Sequence, residues 1–359
     1  MLILLYVMDS LRRDFLGCYG DTGAATPHLD RFAAGATRYS QAYAPAAWSK
    51  ASGAALLTGY LPRAIRMRGL LDRLPSDVPT LAERLAAQGY HTVAVTANPF
   101  ISTDFSLLRG FRHVVEGFRP GALPGESFHF HANHFRRVAD GLSVEPEGLV
   151  LARSAALHEA LDDLLPSDGA TFALCWSMDT HAPFFVRGER SLWGNPLDRV
   201  IPAADAEWLT GGLRLRDLVS LYRDMVAYND ARFGEVVAML RARGQWEGSL
   251  VIVAGDHGEA FGEHGLMGHT NGLWEEQIGV PLLVKFPRQT EASVCDGVVS
   301  LMDVVPTILQ PAPVGTGVTV EQGLAGKKDL DGVNGFVKWS GRGGVKGLAL
   351  QQVLAGEGT

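Results

Sequence analysis

Two short apolar runs, each broken off at an acidic residue, constrain the fold of this chain more than any other feature. Leu2-Ile3-Leu4-Leu5-Tyr6-Val7 gives way to Met8-Asp9-Ser10, and Leu250-Val251-Ile252-Val253-Ala254 gives way to Gly255-Asp256-His257-Gly258-Glu259. Apolar runs of this length without polar alternation read as strands covered on both faces, the condition of a strand inside a parallel sheet. Further signals alternate between them. Thr80 to Gln88 reads as an amphipathic helix stopped by Gly89, and His91 to Thr96 as a strand. Asp140 to Leu165 suggests one or two helices, with Leu151, Leu157, Leu161 and Leu165 spaced for one face. Ala170 to Met178 is a strand ending in Asp179-Thr180-His181, Leu213 to Leu240 a long helical region containing Tyr228-Asn229-Asp230, and Leu282 to Phe286 a further strand. This alternation predicts an α/β fold with a mostly parallel central sheet and helices on both faces.

In open α/β sheets ligands bind outside the carboxyl ends of the strands. The second run delivers Asp256 and His257 to that place, and Glu259, Glu263, His264 and His269 follow at once. This is half of a metal site. The first run supplies the other half through Asp9, with Ser10 and Asp14 close behind. Oxygen and imidazole donors suit Mn²⁺, Zn²⁺ or Mg²⁺, and a soft thiolate set is absent.

Between the two halves lies Trp48-Ser49-Lys50-Ala51-Ser52-Gly53-Ala54-Ala55-Leu56-Leu57-Thr58-Gly59. Ser49 reads as the N-cap of a helix that Gly59 and Pro62 stop. A residue there sits among free N–H groups at the positive end of the helix dipole, which favours an anionic substrate and an ionised nucleophile.

These segments resemble the sulfatase family of the alkaline phosphatase superfamily. The resemblance runs in order through Met8 to Asp14, Leu16-Gly17-Cys18-Tyr19-Gly20, Thr26 to Phe32, Trp48 to Gly59 and Gly89-Tyr90-His91-Thr92. It continues through Thr180-His181-Ala182-Pro183-Phe184, Asp256 to Glu259 and Leu273 to Leu282, reaching about Leu309. It implies an alkaline-phosphatase-like fold and one divalent metal ion, Mn²⁺, Ca²⁺, Mg²⁺ or Zn²⁺, held by Asp9, Asp256 and His257. It places Ser49 where the family keeps its nucleophile, which true sulfatases convert to formylglycine. It sets His181 against the ester as a binding group or proton donor, His269 near a substrate-binding Lys, and Asn98 near a Lys-x-His pair. The implied substrate is a small-molecule or glycan sulfate or phosphate ester.

The chain also departs from the family pattern. Gly53 stands where sulfatases carry an Arg that forms part of the formylglycine signal, Ser10 replaces a second N-terminal Asp, and His257 stands where Ca²⁺-binding members often have Asn. The remaining set resembles phosphotransferase members such as lipoteichoic acid synthase, which use an unmodified hydroxyl and one Mn²⁺-like metal. Three readings follow: a sulfuric ester hydrolase acting through Ser49, a phosphodiesterase or phosphotransferase with unmodified Ser49, and a non-catalytic relic of the fold. A free hydroxyl is a weak nucleophile until a base or metal activates it.

The bulk properties narrow the field. A formal net charge of −7 over 359 residues argues against nucleic acid as a partner. Cys18, Cys175 and Cys295 are too few and too scattered for a disulfide framework. The first apolar run stops at Asp9, too short to span a membrane, and lacks a basic leader, so a cytoplasmic protein is expected. The tract from Phe111 to Arg137, with His113, His129, His131 and His134, reads as a loop rimming the substrate pocket. Residues 1–309 form the expected catalytic domain. The Gly-rich 310–359 stretch reads as a tail, the family's C-terminal subdomain being truncated or divergent.

Overall fold

The computed structural model describes residues 1–119, 122–123, 127–130, 149–182, 215–270 and 272–309. The 310–359 tail, His131 and His134 lie outside these residues. The strands are β1 (Leu2–Met8), β2 (Thr37–Tyr43), β3 (His91–Thr96), β4 (His113–Glu116), β5 (Ser127–Phe130), β6 (Leu149–Ala152), β7 (Thr171–Ser177), β8 (Leu250–Gly255), β9 (Ala260–Phe261), β10 (Met267–Gly268), β11 (Leu282–Lys285) and β12 (Ser293–Ser300). The α-helices are α1 (Pro27–Ala33), α2 (Ser49–Thr58), α3 (Leu81–Ala87), α4 (Ser154–Leu164), α5 (Leu215–Ala242), α6 (Glu275–Ile278) and α7 (Val304–Leu309).

Eight strands form one sheet in the order β12-β2-β11-β8-β1-β7-β3-β4. Only β11 runs against the rest, antiparallel to both β8 and β2. The expected mostly parallel sheet is therefore present, and β1, the first strand of the chain, lies inside it between β7 and β8.

Because side chains alternate along a strand, β1 feeds two cores. Leu2, Leu4, Tyr6 and Met8 pack with Leu29 and Phe32 of α1, Leu157 and Leu161 of α4, and Leu221, Phe233 and Leu240 of α5. Ile3, Leu5 and Val7 pack on the other face with Leu56 and Leu57 of α2, Leu81 and Leu85 of α3, and Val304 and Ile308 of α7. Helix α3 starts on a capping box in which Thr80 and Glu83 satisfy each other's free backbone donors. No helix among the described residues is long and apolar enough to cross a membrane.

Three details differ from the sequence reading. Ser49 is the first residue of α2 and Trp48 the N-cap, so the serine side chain is released from capping and turned elsewhere. Leu151 belongs to β6, which pairs antiparallel with β5, and the helix begins only at Ser154, whose N–H donates to Asp179 at 3.0 Å. His113 opens β4, its ring 5.0 Å from that of His91, and so lies at the amino end of the strand, opposite the end where ligands bind.

Candidate active site at the strand tips

Register brings the functional residues level. Val7 pairs with Ala254 and Trp176, and Thr96 pairs with Trp176. The chain therefore leaves β1 at Asp9, β3 at Asn98, β7 at Asp179-Thr180-His181 and β8 at Asp256-His257, all on one edge. Ser10 turns with φ 58, a left-handed conformation rare for a non-glycine residue. That turn aims the Ser10 N–H at Asp256 Oδ1, 3.0 Å away, and ties the two strand tips together.

Asp9 is fully buried and is the hub. Its Oδ2 accepts from Asn98 Nδ2 at 2.5 Å, Trp176 Nε1 at 2.9 Å and Ser49 Oγ at 3.2 Å. Its Oδ1 accepts from Ser10 Oγ at 3.2 Å, and Thr180 Oγ1 donates to its main-chain oxygen at 2.6 Å. Burial alone would raise its pKa. Electrostatic interaction with the His181 and His257 rings, with the Trp176 and Asn98 hydrogen bonds, outweighs that and holds the carboxyl below its usual range.

Ser49 Oγ also lies 3.2 Å from His257 Nε2. The ring's Nδ1 faces the Gly258 carbonyl at 2.9 Å, which makes Nδ1 the donor and leaves the Nε2 lone pair pointing at Asp9, Asp256 and Ser49. Burial, and then the charge of His269, push His257 down to about 3, so the ring is neutral. Asp256 is raised well above an ordinary carboxyl by burial and by the facing charge of Asp9.

This donor set fits a divalent cation. Ligand atoms of Asp9, Asp256 and His257 all lie within 4.8 Å of one another. Asp256 Oδ2 is buried and accepts no hydrogen bond among the described residues, although its Oδ1 takes two, from the N–H groups of Ser10 and His257. A buried carboxylate oxygen without a partner is costly unless a cation completes it.

His181 and His269 line the opposite side, their ring centroids 5.1 Å apart, and the His269 ring lies 4.4 Å from that of His257. His269 Nδ1 is 2.9 Å from the buried Glu259 Oε2. Burial would lower its pKa, but the Glu259 charge and hydrogen bond raise it overall. Burial lowers His181, with Asp9 opposing.

All seven candidates, Asp9, Ser49, Asn98, His181, Asp256, His257 and His269, thus gather at one strand-end site. Asn98 differs in its immediate partner, since it braces Asp9. Sequence reasoning gave no role to Trp176, whose indole N–H reaches Asp9, or to Glu259, which braces His269. Glu259 sits beside the Asp-His pair, which was a usable signal; nothing in the apolar strand pattern singles out the polar atom of Trp176. Gly53 gains a physical account: a Cβ there would lie 2.4 Å from Ile101 Cδ1 and 3.0 Å from Trp176 Cη2. The space that a longer side chain at position 53 would need is filled by the indole that holds Asp9.

The chain is also similar to known proteins. The Sulfatase family model matches residues 2–314. Bovine arylsulfatase A (Bos taurus) is 47% identical over 25% of this chain and 19% of its own length. The steryl-sulfatase of Mus musculus is 28% identical over 86% of this chain and 61% of its own. The chain thus covers less than two-thirds of these curated relatives. The phosphonate monoester hydrolase of Agrobacterium radiobacter superposes with a TM-score of 0.63 at 20% identity, covering 85% of this chain and 72% of that one, which shows a shared fold. With the family pattern running through nearly all of the described residues, this chain belongs to the sulfatase family.

Proposed function

We propose that this chain is a metal-dependent hydrolase of sulfuric or related esters that works through Ser49. One observation carries the reading: the buried Ser49 Oγ lies 3.2 Å from both Asp9 Oδ2 and His257 Nε2, beside a buried Asp256 Oδ2 that accepts no hydrogen bond among the described residues. Asp9, Asp256 and His257 would hold one divalent cation. Bound there, it supplies activation of the neighbouring hydroxyl and neutralises charge on the transferred group. A relic freed from catalysis would gain nothing from a buried, uncompensated carboxylate oxygen.

The chain's own residues divide the remaining work. Ser49 Oγ passes its proton along its hydrogen bond to Asp9 Oδ2 and forms the bond to sulfur or phosphorus while the bond to the ester oxygen breaks. That oxygen leaves with a proton from the His181–His269 pair, where Glu259 favours the charged form of His269. The second amide hydrogen of Asn98 is left for a non-bridging oxygen of the substrate. Water then cleaves the Ser49 ester, releasing sulfate or phosphate, and the proton held at Asp9 returns to Ser49 Oγ.

The crowding at Gly53 favours a second reading, in which Ser49 stays unmodified and the substrate is a phosphodiester. Metal content, parallel assays on an aryl sulfate and an aryl phosphodiester, and mass spectrometry of the Ser49 peptide separate the two. Sulfate turnover supports the first reading, through the serine hydroxyl if the Ser49 peptide is intact and through formylglycine if it has lost two hydrogens. Phosphodiester turnover with an intact serine supports the second. Metal-free protein that turns over neither substrate after metal addition sinks both.

A further inference from the structure

Downstream of α2, the stretch from Leu61 to Leu74 carries Arg63, Arg66, Arg68 and Arg73 against a single acid, Asp72, in a chain of net charge −7. All four arginines are exposed. The one acid is half-buried and engaged by its own loop, its Oδ2 accepting the main-chain N–H groups of Arg68 and Gly69 at 2.7 and 2.6 Å. Among the described residues, Arg66 alone of the four has an acidic partner, Asp77 at 3.2 Å.

The same stretch has an inside and an outside. Ile65, Met67 and Leu74 are buried in the core, while Leu61, Leu70 and Leu71 are exposed by 41%, 38% and 61%. The exposed leucines are therefore not the residue of an unfolded loop. Lys50, second in α2 and fully buried, donates from Nζ to the carbonyls of Leu70 and Asp72, its ammonium 4.0 Å from the Phe105 ring centroid. A buried ammonium is costly unless hydrogen-bonded. Here its bonds fasten the Leu70–Asp72 tip beside the end of α2 that carries Ser49.

We propose that the Leu61–Arg73 loop is a membrane-docking surface, its leucines entering the acyl boundary of an anionic bilayer and its arginines meeting the lipid headgroups. Exposed apolar side chains flanked by cationic ones match an interface that is apolar below and anionic above. A sulfated polymer would satisfy the arginines and leave Leu70 and Leu71 in water, which favours the bilayer. The docking surface stands independently of the hydrolase reading, and it would set the mouth of the Ser49 site close to the lipid surface.

Co-sedimentation of the full chain with vesicles tests this, comparing phosphatidylcholine alone with phosphatidylcholine mixed with phosphatidylglycerol. The parent should bind the anionic vesicles, release from them as salt rises, and ignore the neutral ones. Arg68→Glu with Arg73→Glu should weaken binding by roughly five-fold or more for each position. Leu70→Ser with Leu71→Ser should weaken it by about ten-fold. Near-ultraviolet circular dichroism and thermal midpoints should match the parent, because the four altered side chains are exposed. A parent that leaves anionic vesicles unbound overturns the proposal. So does a leucine variant that binds like the parent; if that variant and the parent also bind dextran sulfate equally, the arginines belong to a sulfated polymer instead.

Discussion

At the scale of the residue, Asp256 is the sharpest lever. Its Oδ1 is occupied by two main-chain donors and its Oδ2 by none among the described residues, so the side chain is oriented to take a further ligand. Asp256→Ala should bring metal content, measured by inductively coupled plasma mass spectrometry, down to background, because a site of three protein ligands cannot spare a carboxylate. Full occupancy in that variant would refute the assignment. The paired rings of His181 and His269 give a second prediction. His181→Ala should slow turnover of esters with poor leaving groups by about 10²-fold or more and of nitrophenyl esters far less, since only the former need a proton. Equal losses for both substrate classes would move His181 to a binding or folding role.

At the scale of the element, α2 shows how a helix can carry a nucleophile at its start and a close packing contact one turn on. Position 53 faces Ile101 and the indole that donates to Asp9. Gly53→Arg should therefore destabilise the fold by about 3 kcal/mol or more through overpacking. It should also lower metal affinity by displacing Trp176, with both effects read from urea melts and metal titration. A variant as stable as the parent would mean that the helix slides to make room. The elements also show what was legible beforehand. β1, β3, β7 and β8 announce themselves because both their faces are buried, and their apolar runs stop at the functional residue. Thr37–Tyr43 and Ser293–Ser300 give no such signal: β2 mixes Arg38, Ser40 and Gln41 with its buried positions, and β12 is a largely exposed edge. The five gathering points of the site were readable as strand ends and a helix start. The Trp176–Asp9 bond was not, because it depends on where the twist of the sheet aims one indole.

At the scale of the whole molecule, a second buried polar chain lies beneath the site. His158 Nε2 meets Tyr6 Oη at 3.0 Å, Tyr6 donates to Asn229 at 3.3 Å, and Asn229 Nδ2 donates to Ser177 Oγ at 2.9 Å. Burial, and then the Arg232 charge, push His158 down to about 3 from an unfolded value near 6.5. The unfolded chain thus binds the extra proton between those limits. The stability gained from keeping this ring neutral is complete above about pH 6.5 and is lost as pH falls toward 3. His158→Gln should flatten the pH dependence of the urea midpoint across that window, and a profile that overlays the parent's would assign the acid sensitivity elsewhere.

The central place of β1 has a consequence for how the molecule comes into being. Leu5 pairs with Leu174 on one side and Ile252 on the other, so β1 leaves the ribosome well before the partners that will cover it. Until β7 emerges both edges of this apolar segment are open, and until β8 emerges one still is, a template for wrong pairing and a target for holding chaperones. Contacts so distant in sequence also make for slow folding. In stalled nascent chains, protease protection of Leu2–Met8 should appear only once β8 has cleared the exit tunnel. Protection before then would show that a partial sheet suffices. Asp9 is the first ligand to be made and Asp256 and His257 the last, so a cation can select the finished fold but cannot guide its early assembly.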